Sequence, residues 1–156
     1  MSDIQAENRG LDDVLFDSIV SRFRHICGFN TFGFTLMYLA SGKAGMQMVV
    51  GPEFSNMHRR AHGGLIGAAL DTVVGVAAWT LDCDVVTLEM NLNYFTPIGL
   101  GDAVTCEGWV IHKGNTIVVG EGDMRDQKGR LIAKSRMTFY RVGELAGEEN
   151  QEGNNI

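Results

Sequence analysis

Two features within one stretch have the makings of chemistry. The first is the pair Gly63-Gly64 directly after His62, and the second is the carboxylate of Asp71, seven residues beyond Gly64. The run from Gly63 to Trp79 is otherwise apolar or small except for Thr72, so Asp71 is its one charged side chain. If the run is a helix, the Gly63 and Gly64 amides open it. There backbone N–H groups lack intrahelical acceptors and the dipole is positive, which suits an oxyanion. Glycine also lets a carbonyl group approach without a Cβ in the way. A carboxylate two turns inside an apolar helix is more often a working group than a structural one.

At about 100° per residue, Gly64, Gly67, Ala68, Gly75 and Ala78 share the face of Asp71, and Leu65, Ile66, Leu70, Val73 and Val76 take the opposite side. The small-residue face lets another backbone or a ligand come close to the helix. The interior glycines each cost about 1 kcal/mol of helix propensity, so the surroundings must hold the segment. A helix apolar nearly all round is a buried one, with a sheet wrapped around it. A membrane span is the competing reading. Leu65 to Leu81 is only seventeen residues, short of the ~20 a bilayer needs, and an Asp at mid-span costs about 2.5–3.5 kcal/mol. A structural, capping Asp is the other alternative, and Gly63-Gly64 also serves simply as the turn into the helix.

Around this stretch the elements read as follows. Residues 1–10 are polar and expected to be loose. Leu11 to Phe29 reads as one amphipathic helix, with Val14, Leu15, Ile19, Phe23 and Ile26 on its stripe, Asp12 and Asp13 in its first turn, and Arg22, Arg24 and His25 near its end. Phe32–Ala40 and Gly45–Gly51 form a hairpin through Ser41-Gly42-Lys43. A loop from Glu53 to Ala61 leads into the glycine pair. After the helix come four strand patterns. In the first, Leu88, Met90, Leu92 and Tyr94 alternate with Thr87, Glu89, Asn91 and Asn93, and the apolar set is expected to pack on the helix. Strands over 102–112, 116–124 and 131–141 follow, joined by Lys113-Gly114-Asn115 and Asp126-Gln127-Lys128-Gly129. The tail from 143 to 156 is acidic and expected to be disordered. The prediction is an α+β domain over 11–142, one antiparallel sheet curved around a central buried helix. An open sheet edge predicts a homodimer at least.

Composition sets the remaining bounds. A net charge of −6 over 156 residues argues against nucleic acid as the main partner. Three widely spaced cysteines, Cys27, Cys83 and Cys106, with no C-x-x-C pair, predict neither a disulfide framework nor a zinc site. His25, His58 and His112 form no metal-ligand spacing, so no metal and no cofactor is expected. The first residues lack the basic start and apolar core of a signal peptide, which predicts a cytoplasmic protein without a membrane segment.

His62-Gly63-Gly64 with Asp71 resembles the hotdog-fold acyl-CoA thioesterases of the phenylacetate-degradation (PaaI-like) type. Further matches run in order along about residues 30–141. They are Asn56 six residues before His62, Thr87–Pro97 as the strand after the helix, His112-Lys113-Gly114-Asn115 as the next hairpin, and Gly129–Ala133 followed by Thr138-Phe139 as the last strand. The resemblance implies hydrolysis of an acyl-CoA thioester. Gly63 N–H would polarise the carbonyl, Asp71 would act as general base to water or as nucleophile, and Asn56 would orient water or carbonyl. In the family geometry the Asp71 of one chain faces the Gly63 of another, so the resemblance implies a homodimer, assembling to a tetramer. His62, Gly64 and Thr87 would contact substrate, and the Lys113-Gly114-Asn115 turn the nucleotide. His62 is read slightly in favour of a local structural role, and Thr87 and Lys113 serve equally well as an ordinary strand threonine and a solvated turn lysine. The family often carries a glycine where this chain has Arg59. Arg59 and Arg60 oppose the dipole of the following helix, and are read as extending into solvent in preference to facing an anion. Two alternatives stay open: a hotdog hydratase or dehydratase, which needs a histidine opposite the helix carboxylate, and a non-catalytic acyl-CoA-binding module.

Overall fold

A computed structural model describes residues 6–145. In chain order the elements are β1 (Glu7–Arg9), α1 (Asp13–His25), α2 (Cys27–Phe32), β2 (Thr35–Ala40), β3 (Lys43–Val49), a 3-10 turn at Pro52–Phe54, α3 (Gly63–Trp79), β4 (Asp84–Tyr94), β5 (Ala103–Lys113), β6 (Ile117–Asp126) and β7 (Leu131–Gly143). The strands form one sheet in the order β1-β2-β3-β5-β6-β7-β4. Every pairing is antiparallel except β1 with β2. Helix α3 lies across the sheet and touches β3, β4, β5, β6 and β7. Its Leu65, Ile66, Leu70, Val73 and Val76 are buried, as their side of the helix predicts.

The sheet accepts the helix so closely because it carries glycines where side chains would collide. A Cβ on Gly108 would sit 2.7 Å from the Val73 carbonyl oxygen, and one on Gly122 would sit 2.9 Å from Val74 Cγ2. A Cβ on Gly120 would collide with Val74 Cγ1. Interior strand glycines weaken a sheet unless another chain segment approaches there, and here α3 does.

Three expectations are corrected. The segment 11–29 is two helices. Asp12 caps α1, accepting from the Val14 and Leu15 N–H groups at 3.0 and 3.2 Å. Ile26 then turns extended (ψ 104) and breaks the helix before α2, which runs on to a left-handed cap at Gly33 (φ 71). The hairpin therefore begins at Thr35 and not at Phe32. Residues 7–9, expected to be loose, form a short strand registered on Tyr38–Ala40, with Arg9 stacked over the Tyr38 ring at 3.8 Å. Strand β7 reaches Gly143 and Leu145 is buried, while 1–5 and 146–156, where a loose start and an acidic tail were expected, lie outside the described residues.

The third correction concerns β4. Its register against β7 slips between Thr87 and Glu89, so Leu88 is a bulge residue. Met90, Leu92 and Tyr94 face α3, as their alternation predicts, since the Met90 and Leu92 tips approach Gly67 and Tyr94 reaches Gly63. Thr87, expected on the opposite face, also points at α3, and Leu88 is left 58% exposed. Beyond the bulge, β4 is the last strand of the sheet and has no neighbour on its outer side among the described residues.

Candidate active site

The start of α3 is built by His62. Its backbone is extended (ψ 135), its Nδ1 accepts the Gly64 N–H at 2.9 Å, and its carbonyl accepts the Leu65 N–H at 3.0 Å. An acceptor Nδ1 leaves the ring proton on Nε2. The Gly64 amide, expected to join Gly63 in receiving an oxyanion, is taken up by this cap. The Gly63 N–H makes no hydrogen bond among the described residues, and it sits where the helix dipole is positive. Position 63 also has little room for a side chain, because Tyr94 Oη donates to the Gly63 carbonyl at 2.9 Å and would lie 3.0 Å from a Cβ.

This helix end opens on a cleft of about 770 Å³ whose lining includes Asn56, Arg60, Gly63, Tyr94, Phe95 and Ile98. Asn56 ties the preceding loop. Its Oδ1 accepts the His58 N–H at 2.9 Å and the Arg60 N–H at 3.1 Å, while its own N–H donates to the Arg60 carbonyl at 2.7 Å. Its Nδ2 makes no hydrogen bond among the described residues, which leaves it as the free end of the amide in the cleft. Arg59 adopts a left-handed backbone (φ 56) to close the loop.

Asp71 lies two turns further along α3. It is half-buried in a single chain, not fully buried as its apolar helix suggested, because β4 leaves that face open. Its Oδ1 accepts from Thr87 Oγ1 at 2.7 Å. The pair faces a cleft of about 140 Å³, walled by Phe29, Val76, Trp79, Val85 and Phe139. Gly75, one turn on, has no atom within 4 Å of a would-be Cβ, so the helix surface beyond Asp71 is open. The buried thiols belong elsewhere. Burial pushes Cys106 up to about 12, which keeps it a protonated, unreactive filler.

Known proteins resemble this chain in sequence and in fold. The model of the thioesterase superfamily matches residues 58–133. Human acyl-coenzyme A thioesterase 13 is 30% identical over 109 residues, which is 68% of this chain and 78% of the relative. The chain belongs to the thioesterase superfamily. Escherichia coli PaaI, from the phenylacetic acid degradation operon, superposes with a TM-score of 0.82, covering 86% of this chain and 98% of that one at 21% identity. A hypothetical thioesterase of Streptococcus pneumoniae, solved with coenzyme A, superposes with a TM-score of 0.69 at 28% identity, covering 71% of this chain and 90% of that one. The α+β sheet around a long helix is therefore the hotdog fold, and the chain is a thioester hydrolase of that fold.

Within one copy of this thioesterase the expected site residues fall in three places. Asn56, His62, Gly63 and Gly64 line the first cleft. Asp71 and Thr87 line the second. Asp71 is eight positions after Gly63, about 12 Å along a helix. Lys113-Gly114-Asn115 lies at the other end of α3. There Lys113 Nζ donates to the Leu81 carbonyl at 3.0 Å and the Gly114 N–H donates to the Ile117 carbonyl at 2.8 Å. At 1.5 Å per residue, α3 puts about 25 Å between that turn and Gly63. Sequence reasoning passed over Tyr94, Phe29 and Trp79 as site walls. All three read as ordinary core aromatics, and nothing in their spacing marks them otherwise. No helix among the described residues is long and apolar enough to cross a membrane.

Proposed function

We propose that the protein hydrolyses acyl-CoA thioesters to the free acid and coenzyme A, at a site completed by two copies of the chain. The observation that carries this reading is the division of one reaction's parts between two clefts. A free Gly63 N–H stands at a helix N-terminus, and a carboxylate held by Thr87 stands about 12 Å away, too far for both to serve one carbonyl in one chain. The open edge of β4 offers a way to join them. Among the described residues its ladder groups are unpaired on one side, and Val86, Leu88, Met90, Tyr94 and Phe95 are exposed beside it. Two copies pairing antiparallel through β4 about a two-fold axis set their α3 helices antiparallel. The Gly63 end of one then meets the Asp71 of the other, and the Lys113-Gly114-Asn115 turn of one approaches the Asn56–Arg60 loop of the other. Further pairing of such dimers gives a tetramer.

In this arrangement the thioester carbonyl oxygen accepts from the Gly63 N–H, where the dipole and the donor stabilise the charge that develops on it. The partner copy's carboxylate at position 71 takes a proton from water as water attacks the carbonyl carbon, or itself attacks to form an anhydride that water then opens. Thr87 fixes the carboxylate, and the free Asn56 amide orients water or carbonyl. The coenzyme A thiolate leaves and is protonated. A hydratase would need a histidine with a free basic nitrogen opposite the helix carboxylate, and in His62 the basic Nδ1 is taken by the cap of α3 while Nε2 carries the proton. The reading agrees with a relative named for acyl-coenzyme A thioester hydrolysis and with a solved neighbour containing coenzyme A.

The test is thiol release from a panel of acyl-CoA substrates by the wild type and Asp71→Asn, with mass in solution measured by light scattering. The wild type turns over as a dimer or larger, and the folded variant loses turnover. Wild-type rates in the variant, or full activity in a single-chain species, would refute the mechanism.

A further inference from the structure

The loop before α3 gathers cations in a chain that is acidic overall. The net charge is −6, yet no Asp or Glu occurs from Asn56 to Leu70, a span that holds His58, Arg59, Arg60 and His62. Arg60 lines the same cleft as the Gly63 N–H. Neither the Arg59 nor the Arg60 side chain makes a hydrogen bond or ion pair among the described residues. Asp102, on the Gly99 side of Arg60, accepts the Gly99 N–H through its Oδ2 at 2.9 Å and does not pair with the guanidinium.

The root of Arg60 is fixed while its head is free. Its N–H donates to Asn56 Oδ1 and its carbonyl accepts the Asn56 N–H. The preceding residue, Arg59, holds a left-handed conformation (φ 56) that a long side chain rarely adopts. Two cations ahead of a helix N-terminus oppose the dipole, and the opposition reverses once an anion lies between them and the helix end.

We propose that Arg60 receives an oxyanion of the substrate in the cleft beside Gly63. That oxyanion is either a phosphate of the carrier or a carboxylate at the far end of the acyl chain. The proposal rests on the thioesterase reading of the same cleft. The guanidinium presents a planar fork that fits either group with two parallel hydrogen bonds, which a lysine does not reproduce.

Four thioesters separate the two sources: pentanoyl-CoA, glutaryl-CoA, and the same two acyl groups on pantetheine, which carries no phosphate. Each is assayed with the wild type, Arg60→Met and Arg60→Lys, after a thermal melt confirms folding. Arg60→Met raises KM roughly tenfold, the size of one charge-assisted hydrogen bond, for every substrate bearing the recognised anion, with kcat within twofold. Arg60→Lys recovers part of the loss. A change confined to the two CoA thioesters assigns the carrier phosphates, and a change confined to the two glutaryl thioesters assigns the acyl carboxylate. The proposal is overturned if Arg60→Met leaves KM within twofold on all four, or if pentanoyl-pantetheine suffers as much as the rest. Should the wild type release no thiol from any of them, the thioesterase reading fails by itself. Calorimetric binding of coenzyme A and of glutaryl-pantetheine to the wild type and Arg60→Met then still decides the role of Arg60.

Discussion

Replacing Thr87 by Val removes one hydroxyl and almost nothing else. The β-branch and the volume stay, and both suit a strand. What is lost is the donor to Asp71 Oδ1 at 2.7 Å, a short bond to a charged acceptor. Such bonds contribute about 1.5–3 kcal/mol. Asp71 is half-buried in one chain, so water replaces part of the loss, and the lower end applies. About 1.5 kcal/mol at 1.36 kcal/mol per tenfold is a roughly tenfold fall in kcat. The KM should hold, because Thr87 acts on the carboxylate and not on the carrier. Stability should hold too, since the new methyl faces Val85, Phe139 and Phe29 across the small cleft. The assay is thiol release at saturating substrate with kcat and KM resolved, alongside a thermal melt. Thr87→Ser keeps the hydroxyl and should stay within about threefold of wild type, a loss below one weak hydrogen bond. A Thr87→Val enzyme within twofold of the wild-type kcat would refute the reasoning. So would a serine variant as impaired as the valine one, because packing and not the hydroxyl would then be the cause.

Two further outcomes follow from the core. Gly108→Ala would drive a Cβ to 2.7 Å from the Val73 carbonyl oxygen, where the obstacle is helix backbone and cannot rotate away. We expect a loss of about 1–3 kcal/mol or more, read as a lowered Tm, whereas an unchanged Tm would mean that the helix sits further from the sheet than described. Burial raises Cys106 to about 12, above the 9.0 of a free thiol. The folded state therefore keeps a proton that the unfolded chain gives up, so stability is fully present below about pH 9 and drains away as pH climbs toward 12. In iodoacetamide at pH 8.5 the exposed Cys27 should label and Cys106 should not until denaturant is added, and mass spectrometry of the digest distinguishes the two.

The parts of the candidate site that were legible in the sequence are those that break a local pattern. Asp71 is a charge in an apolar run and Gly63-Gly64 is a pair of breakers ahead of it; the pair opens α3 and Asp71 lies two turns on, half-buried where full burial was expected. Asn56 carries no such mark. It was visible only through the family resemblance, and the loop it ties explains the spacing to His62. Position 59 shows the converse. The resemblance sets Arg59 where a glycine is often found, and the backbone there is left-handed. The break at Ile26 was hidden because the apolar stripe runs through it without a change of period. The glycines at 108, 120 and 122 looked like strand defects, because the helix they accommodate is remote in sequence. Thr87 was placed on the wrong face for a related reason. An alternating pattern tells which residues are neighbours in phase, and it is silent on where one residue is skipped.

That skipped residue has a consequence for how the strand divides its labour. Because Leu88 absorbs one step, β4 carries two side-chain alternations of opposite parity, one ending at Thr87 and the other starting at Met90. The downstream half lines the front of α3, and the upstream half carries the hydroxyl that grips Asp71. If the strand ran regularly through Leu88, the alternation that places Met90, Leu92 and Tyr94 on α3 would turn Thr87 outward and release the carboxylate, whereas deleting residue 88 would leave a regular ladder with Thr87 still opposite Phe139 and facing α3. Strand β4 is thus two rulers joined out of step, and the joint keeps the grip on the acid independent of the seal on the helix.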